Sequence, residues 1–62
     1  MKIWVEVTPD FDNEVTDVSI VIGEGDTTKY CWVQGFDDVD WQQAHDYATL
    51  LAKTLNCEVF EL

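Results

Sequence analysis

The sequence predicts an α+β fold in two layers: an antiparallel three-stranded meander, one helix packed on one sheet face, and a short C-terminal strand beside strand 1. Three observations lead to this prediction. Apolar and polar residues alternate along the first half of the chain, a glycine-containing turn interrupts that alternation, and an apolar stripe with helical spacing follows. At 62 residues the chain is expected to form a single domain, residues 1–62.

The first strand is predicted from Lys2 to Val7, where apolar and polar residues alternate with period two. This alternation places Trp4 on the face opposite to three aliphatic residues, Ile3, Val5 and Val7. Pro9 is expected to end the strand because it lacks the N–H that a sheet ladder needs. The polar run 10–14 then forms a loop.

The second strand is predicted from Val15 to Ile22, with Val18, Ile20 and Ile22 on one face. The segment Gly23–Asp26 follows as a hairpin turn, because glycine accepts the positive φ angles that such turns require.

The third strand is predicted from about Thr28 to Gln34, a segment rich in residues that favour β-structure. The alternation does not decide which residues point towards the core. Cys31 and Val33 face inward in one interpretation, and Tyr30 and Trp32 do so in the other.

The helix is predicted from Trp41 to Leu55. Asp40 and Gln43 have the spacing of a capping box, and Val39 with Ala44 has that of a hydrophobic staple. Asn56 is expected to be a left-handed C-terminal cap. The apolar stripe recurs at three- and four-residue steps and consists of Trp41, Ala44, Ala48, Leu51 and Leu55.

The last segment, Cys57 to Leu62, is predicted to be a strand parallel to the first, with Phe60 and Leu62 inside. The helix stripe is expected to pack on four aliphatic side chains of the first two strands, Ile3, Val5, Val18 and Ile20. One helix covers only one face of a sheet, so the opposite face meets water or a partner.

The charge balance excludes several classes of function. Thirteen acids against three lysines and no arginine give a net charge of −10. A direct nucleic-acid-binding protein needs cations for the phosphates, and an anionic membrane surface attracts basic segments. No apolar run is long enough to span a bilayer, and the first residues lack the pattern of a signal peptide. We therefore expect a cytoplasmic protein.

Catalytic and metal-binding interpretations find little support. Two cysteines, Cys31 and Cys57, are too few for a disulfide framework and are expected to be buried free thiols, while His45 is expected to face solvent. The acidic run that begins at Asp10 lacks the glycine and glutamate of a calcium loop, since Val15 and Val21 stand at those positions. We expect no enzymatic activity, no cofactor and no metal.

The acids cluster along the chain. Seven lie between Glu6 and Asp26 and four between Asp37 and Asp46, with no lysine or arginine in either stretch. A folded chain of this mass exposes about 400 Å² per net charge, whereas B-DNA carries one charge per about 100 Å². Acids gathered on the loop ends and on the open sheet face would approach the density of DNA within about twofold. The candidate partner-binding acids are Asp10, Asp12, Glu14, Asp17, Glu24, Asp26, Asp37 and Asp38.

Aromatic residues give the second indication of a binding surface. Trp4, Tyr30 and Trp32 on an uncovered sheet face, surrounded by acids, have the composition of an interaction hot spot. The alternative is that some of these rings fill the small core. Acidity that serves only solubility, or that reflects a halophilic source, is an alternative explanation of the charge.

In its single-domain size, strong acidity, lack of arginine and small sheet with one helix, the chain resembles phage-encoded anti-CRISPR and anti-restriction inhibitors that act as DNA mimics. The resemblance rests on this outline and on no shared motif. It implies a non-enzymatic inhibitor that occupies the basic nucleic-acid-binding surface of a host defence protein, for example a CRISPR effector complex. The alternative function is a small structural or regulatory module that self-associates through the open sheet face; the chain is then a homodimer rather than a monomer.

Overall fold

Four strands form one mixed sheet in the computed structural model of the chain, which describes residues 1–62. In chain order they are β1 (Lys2–Asp10), β2 (Val15–Glu24), β3 (Thr27–Asp37) and β4 (Glu58–Glu61), and their order across the sheet is β3-β2-β1-β4. A 3₁₀ turn, Asp38–Asp40, leads into the single helix α1 (Trp41–Leu55), which packs against the sheet. The predicted β-β-β-α-β layout is confirmed, including a fourth strand parallel to the first.

β1 continues through Pro9, so the predicted end of this strand was wrong. Pro9 pairs with Thr16 of β2. β4 pairs with β1 only from Trp4 to Val7. Pro9 therefore lies where β1 has no strand on its other side, and its missing N–H removes no ladder hydrogen bond there.

The β2–β3 hairpin has a two-residue loop, Gly25 and Asp26, and both strands run further into the predicted turn than expected. Gly25 adopts a φ of 59°, which a residue without a Cβ tolerates best. The ladder then has one irregularity. Val18 pairs with Gln34 and Ser19 with Trp32, so Val33 is an extra residue in β3, as in a β-bulge.

The register decides the facing of β3. Residues opposite one another in an antiparallel pair lie on the same sheet face. Tyr30 and Trp32 pair with Val21 and Ser19, on the face away from the helix, which we call the open face. Cys31 pairs with Ile20 on the helix side, yet Cys31 is exposed and only Cys57 is half-buried. The two thiols are free, but the prediction that they are buried was wrong.

Three alanines bring the helix close to the sheet. Ala44, Ala48 and Ala52 are buried against three valines of β1 and β2, namely Val5, Val7 and Val18. The predicted stripe was therefore only half right: Leu51 is partly buried at its side, while Leu55 is 41% and Trp41 61% exposed. Small side chains allow close approach of helix and sheet, and the long side chains then lie at the margins of the contact.

The sheet side of this contact also differs from the prediction. Ile3 is exposed and Ile20 is only half-buried, because the buried cluster is centred further along β1, at Val5 and Val7. In β4 it is Val59 that packs on the core, since it pairs with Val5. Phe60 pairs with Glu6 on the open face and Leu62 is exposed, so the prediction that both lie inside was wrong.

The start of the helix differs from the predicted capping, whereas its end confirms the predicted left-handed cap. Asp40 has a ψ of 28° and makes no side-chain capping bond, because the preceding 3₁₀ turn holds it outside the extended conformation that an N-cap normally adopts. Val39 is exposed and forms no staple. Asn56 does adopt the left-handed conformation, and its N–H donates to the carbonyl of Lys53.

The fully buried Ala48 provides a test of this packing. Ala48→Leu inserts three carbons between helix and sheet, and overpacking of this kind costs about 1–3 kcal/mol in a domain whose total stability is about 3–5 kcal/mol. We expect a clearly lower urea midpoint, measured by circular dichroism. The matched control is Thr49→Leu on the exposed side of the same helix; equal midpoints for the two variants would contradict the alanine contact.

Candidate partner-binding face

Four aromatic side chains cover part of the open face. Trp4 and Tyr30 lie directly opposite Val21 from the two sides, and Val21 is fully buried although no helix covers it. Trp4 meets Phe60 edge-on, with ring centroids 6.3 Å apart. The aromatic residues therefore form a second, smaller apolar layer over the sheet, while Tyr30 and Trp32 each remain 65% exposed.

Each of two tryptophans lies close to a glycine: Trp4 lies near Gly23 of the neighbouring strand β2, and Trp32 lies near Gly35 of its own strand β3. A Cβ at Gly23 would come within 3.2 Å of the Trp4 ring, and one at Gly35 within 3.4 Å of the Trp32 ring. These glycines leave the space in which the indoles lie flat on the sheet. Their role here is close approach, since neither has a positive φ.

The same two indoles hold carboxylates in place. Trp4 Nε1 donates to Glu6 at 3.1 Å, and Trp32 Nε1 donates to Asp17 at 3.0 Å. Neither carboxylate is paired with a cation. The single charge-type contact in the structure joins His45 to Glu61, on the helix side of the sheet. An indole N–H is a neutral donor, so it orients a carboxylate without supplying a compensating positive charge.

The register places five carboxylates and one lysine, Lys2, on the open face. The carboxylates are Glu6, Asp10, Asp17, Asp37 and Glu58. At about 3.3 Å per residue and 4.8 Å between strands, strands of 9, 10, 11 and 4 residues cover about 540 Å². The four net negative charges of the face thus correspond to one per about 135 Å², against about 100 Å² per charge for B-DNA.

The remaining predicted acids lie at the ends of the sheet. Asp12 and Glu14 lie in the β1–β2 connection, which is joined to the start of the 3₁₀ turn by a hydrogen bond from Asp38 N–H to the Glu14 carbonyl. Glu24 and Asp26 lie at the opposite end, in the β2–β3 hairpin. The structure thus brings Asp10, Asp12, Glu14, Asp37 and Asp38 together, and it separates Glu24 and Asp26 from them.

Sequence reasoning missed three members of the face: Glu6, Glu58 and Phe60. Glu6 was recoverable from the alternation that placed Trp4, since residues 4 and 6 share a face. The two β4 residues were not, because a four-residue strand gives no reliable phase and its facing depends on the register with β1.

The geometry does not assemble a nucleophile and base. Cys57 lines a shallow groove of about 570 Å³ at the β1–β4 margin, together with Trp4 and Phe60. His45 lines a different depression, at the other end of β1. The groove is continuous with the aromatic part of the open face and is best described as its margin.

Comparison with protein-family models, curated proteins and solved structures finds no match to this chain. The helix is too short and too polar to cross a membrane. No three His, Cys, Asp or Glu side chains are grouped so that they would hold a metal ion.

Asp10 provides a pH test of the acidic loop. Hydrogen bonds from the side chain and the backbone N–H of Asn13 lower the pKa of Asp10. A carboxyl whose pKa is lowered in the folded state stabilises the fold above its unfolded-state pKa, and this contribution is lost as pH falls through the lower, folded-state pKa. Asn13→Ala should raise the pKa of Asp10 towards its ordinary value, as followed by carboxyl carbon NMR. Gln34→Ala is the control, and an unchanged Asp10 titration in Asn13→Ala would contradict the assignment.

The two sheet-face tryptophans should differ in their effect on stability. Trp4→Ala removes the cover of Val21 and the contact with Phe60, and tryptophan truncation in a packed site costs about 3–5 kcal/mol, enough to unfold most of a domain this small. Trp32→Ala also removes one indole–carboxylate bond but leaves Val21 covered, so we expect a folded protein. Thermal unfolding followed by circular dichroism compares them, and equal loss of stability would refute the second apolar layer.

Proposed function

We propose that this chain is a non-enzymatic inhibitor that binds the basic, nucleic-acid-binding surface of a protein partner through its open face. The observation that carries the proposal is the charge of that face: five carboxylates against one lysine leave one net negative charge per about 135 Å², near the value of about 100 Å² for B-DNA. A host defence protein such as a CRISPR effector complex is the partner that the resemblance to anti-CRISPR and anti-restriction proteins suggests.

The acids and the aromatic residues have different roles in this proposal. Acids on the face and at the sheet ends attract a basic groove over the range of about 8–10 Å that salt leaves unscreened. Tyr30 and Trp32 then lose their exposed surface to the partner and slow its release. Arginine suits this face better than lysine, because a guanidinium stacks on an indole while it binds a carboxylate with two hydrogen bonds.

A coat of charge that serves only solubility accounts less well for the same face. Such a coat requires polar side chains at exposed positions, whereas Tyr30 and Trp32 are 65% exposed along the β3 edge of this face. Exposed aromatic rings reduce solubility, so their presence among the acids favours a contact surface.

Affinity capture with the immobilised protein tests the function as a whole. We expect a captured partner that is released by double-stranded DNA or by RNA, and that no longer binds nucleic acid when saturated with this chain. A partner that keeps its nucleic-acid affinity under saturation would overturn the proposal, as would capture that no nucleic acid reverses.

A charge-matched pair of double variants tests the face itself. Glu6→Gln with Asp17→Asn removes two charges from the open face while keeping the oxygens that accept the indole bonds. Asp40→Asn with Asp46→Asn removes two charges near and on the helix. With a nona-arginine peptide and tryptophan fluorescence as readout, we expect the first pair to weaken binding at least tenfold and the second about twofold or less, a contrast of about 1 kcal/mol or more.

Equal weakening by the two pairs would mean that the peptide responds only to net charge and that the open face has no special role. A nona-lysine peptide is the second control. It is expected to bind more weakly than nona-arginine and to depend less on Trp32.

A further inference from the structure

β3 is an open sheet edge of unusual length for so small a domain. It has 11 residues and pairs with β2 on one side only, whereas β4, the other edge, has four residues. The outward backbone N–H and C=O groups of an edge strand are a template for a further strand. Proteins commonly protect such an edge with charged side chains or bulges. β3 has only Lys29, its last residue Asp37 and the bulge at Val33.

The charge pattern identifies what fits this edge. No acid occurs from Thr27 to Phe36, in a chain in which 13 of 62 residues are acidic. A basic partner would find no carboxylate along this segment. A second copy of the same segment would meet no like charge except Lys29. A register in which the two Lys29 side chains are not opposite each other removes that repulsion.

We propose that β3 pairs antiparallel with β3 of a second copy of this chain, about a two-fold axis at Cys31, which joins two four-stranded sheets into one of eight strands. An axis perpendicular to the sheet keeps the two open faces on one side. Residues opposite each other must then share a face, so their numbers sum to an even value as far as the bulge at Val33, beyond which the facing of β3 reverses.

Comparison of the possible registers favours the axis at Cys31. An axis at Lys29 would oppose two lysines. An axis at Trp32 would oppose Tyr30 on the open face to Gln34, which lies beyond the bulge on the helix side. An axis at Tyr30 pairs residues 27–33 but opposes Trp32 to Thr28 and leaves the indole without a ring partner. The axis at Cys31 pairs residues 29–33 without an acid and without opposed lysines, and it alone places Tyr30 and Trp32 opposite each other.

This register also pairs the exposed aromatic residues. Tyr30 of one copy lies opposite Trp32 of the other, twice, on the joined open faces. Four rings that each bury 150–250 Å² in packed sites, here 65% exposed, offer about 400–650 Å² of area. That is below the 1,200 Å² or more typical of stable interfaces, so the dimer is weak and its dissociation constant is in the micromolar range or above.

The dimer and the proposed function have opposite salt dependences. Two chains of charge −10 repel each other, and salt screens this repulsion, so self-association tightens as salt rises. Binding to a basic surface weakens as salt rises. The dimer does not rest on the proposed function, although it would double the acidic face that a partner meets.

Disulfide trapping tests the register. Opposed residues in an antiparallel ladder have Cα atoms about 4.5 or 5.5 Å apart, within the disulfide range of about 4.4–6.8 Å. In a Cys57→Ser variant, two Cys31 thiols are oxidised to one disulfide while oxidised glutathione is reduced to two glutathione molecules. We expect rapid formation of a covalent dimer, faster at about 0.5 M than at about 0.05 M salt.

The matched control moves the thiol to the exposed helix position 43, as Gln43→Cys with Cys31→Ser and Cys57→Ser. We expect it to cross-link at least tenfold more slowly. Equal rates for the two thiols would overturn the register, because they would show random collision only.

Sedimentation equilibrium tests the dimer without oxidation. Cys31→Asp opposes two carboxylates at the axis and should weaken self-association at least tenfold, whereas Gln43→Asp adds the same charge elsewhere and should change it about twofold or less, a difference of about 1 kcal/mol. A wild-type chain that is monomeric at about 1 mM in about 0.5 M salt would overturn the dimer. If that monomeric chain still bound nona-arginine, the dimer would be overturned and the proposed function would not.

Discussion

A four-stranded sheet with a single helix has one face that no helix covers, and the rest of this structure depends on this constraint. The three buried alanines let α1 approach the sheet closely and cover Val5, Val7 and Val18. The other sheet face has no helix over it. The chain covers part of that face with its own aromatic residues, and this cover buries Val21 completely. The open face is therefore partly a core and partly a surface.

In the proposed function, the open face contributes both to the stability of the fold and to binding. Trp4 lies against Gly23 and Phe60 and belongs mainly to the fold, whereas Trp32 lies over Gly35, stays exposed and is available to a partner. Both indoles orient carboxylates that no lysine neutralises. The domain thereby presents charged and aromatic groups on an open surface with only a shallow groove at its margin, which fits the proposed recognition of a broad basic surface rather than of a small molecule.

The sequence predicted the elements better than their contacts. Alternation in β1 and β2 is long enough to define a face, and the parallel fourth strand follows from the topology of a crossover. Helical spacing alone did not show that Ala52 is buried and Leu55 exposed, because this difference depends on the distance between the helix and the sheet. The facing of Phe60 and the extra residue Val33 depend on register between strands, which local pattern does not contain. For the candidate site, the sequence left open whether Tyr30 and Trp32 point outward or into the core. It did not identify Glu6 and Glu58 as members of the face.

The three indole N–H signals in a nitrogen–proton NMR spectrum test the central claim, that the open face is the contact surface. Trp4 and Trp32 lie on that face with their N–H groups bonded to carboxylates, whereas Trp41 is 61% exposed at the start of the helix and is an internal control. On addition of nona-arginine, or of a captured partner, the account predicts that the Trp32 signal shifts most, Trp4 less and Trp41 hardly at all. Equal shifts of all three signals, or a shift confined to Trp41, would contradict it.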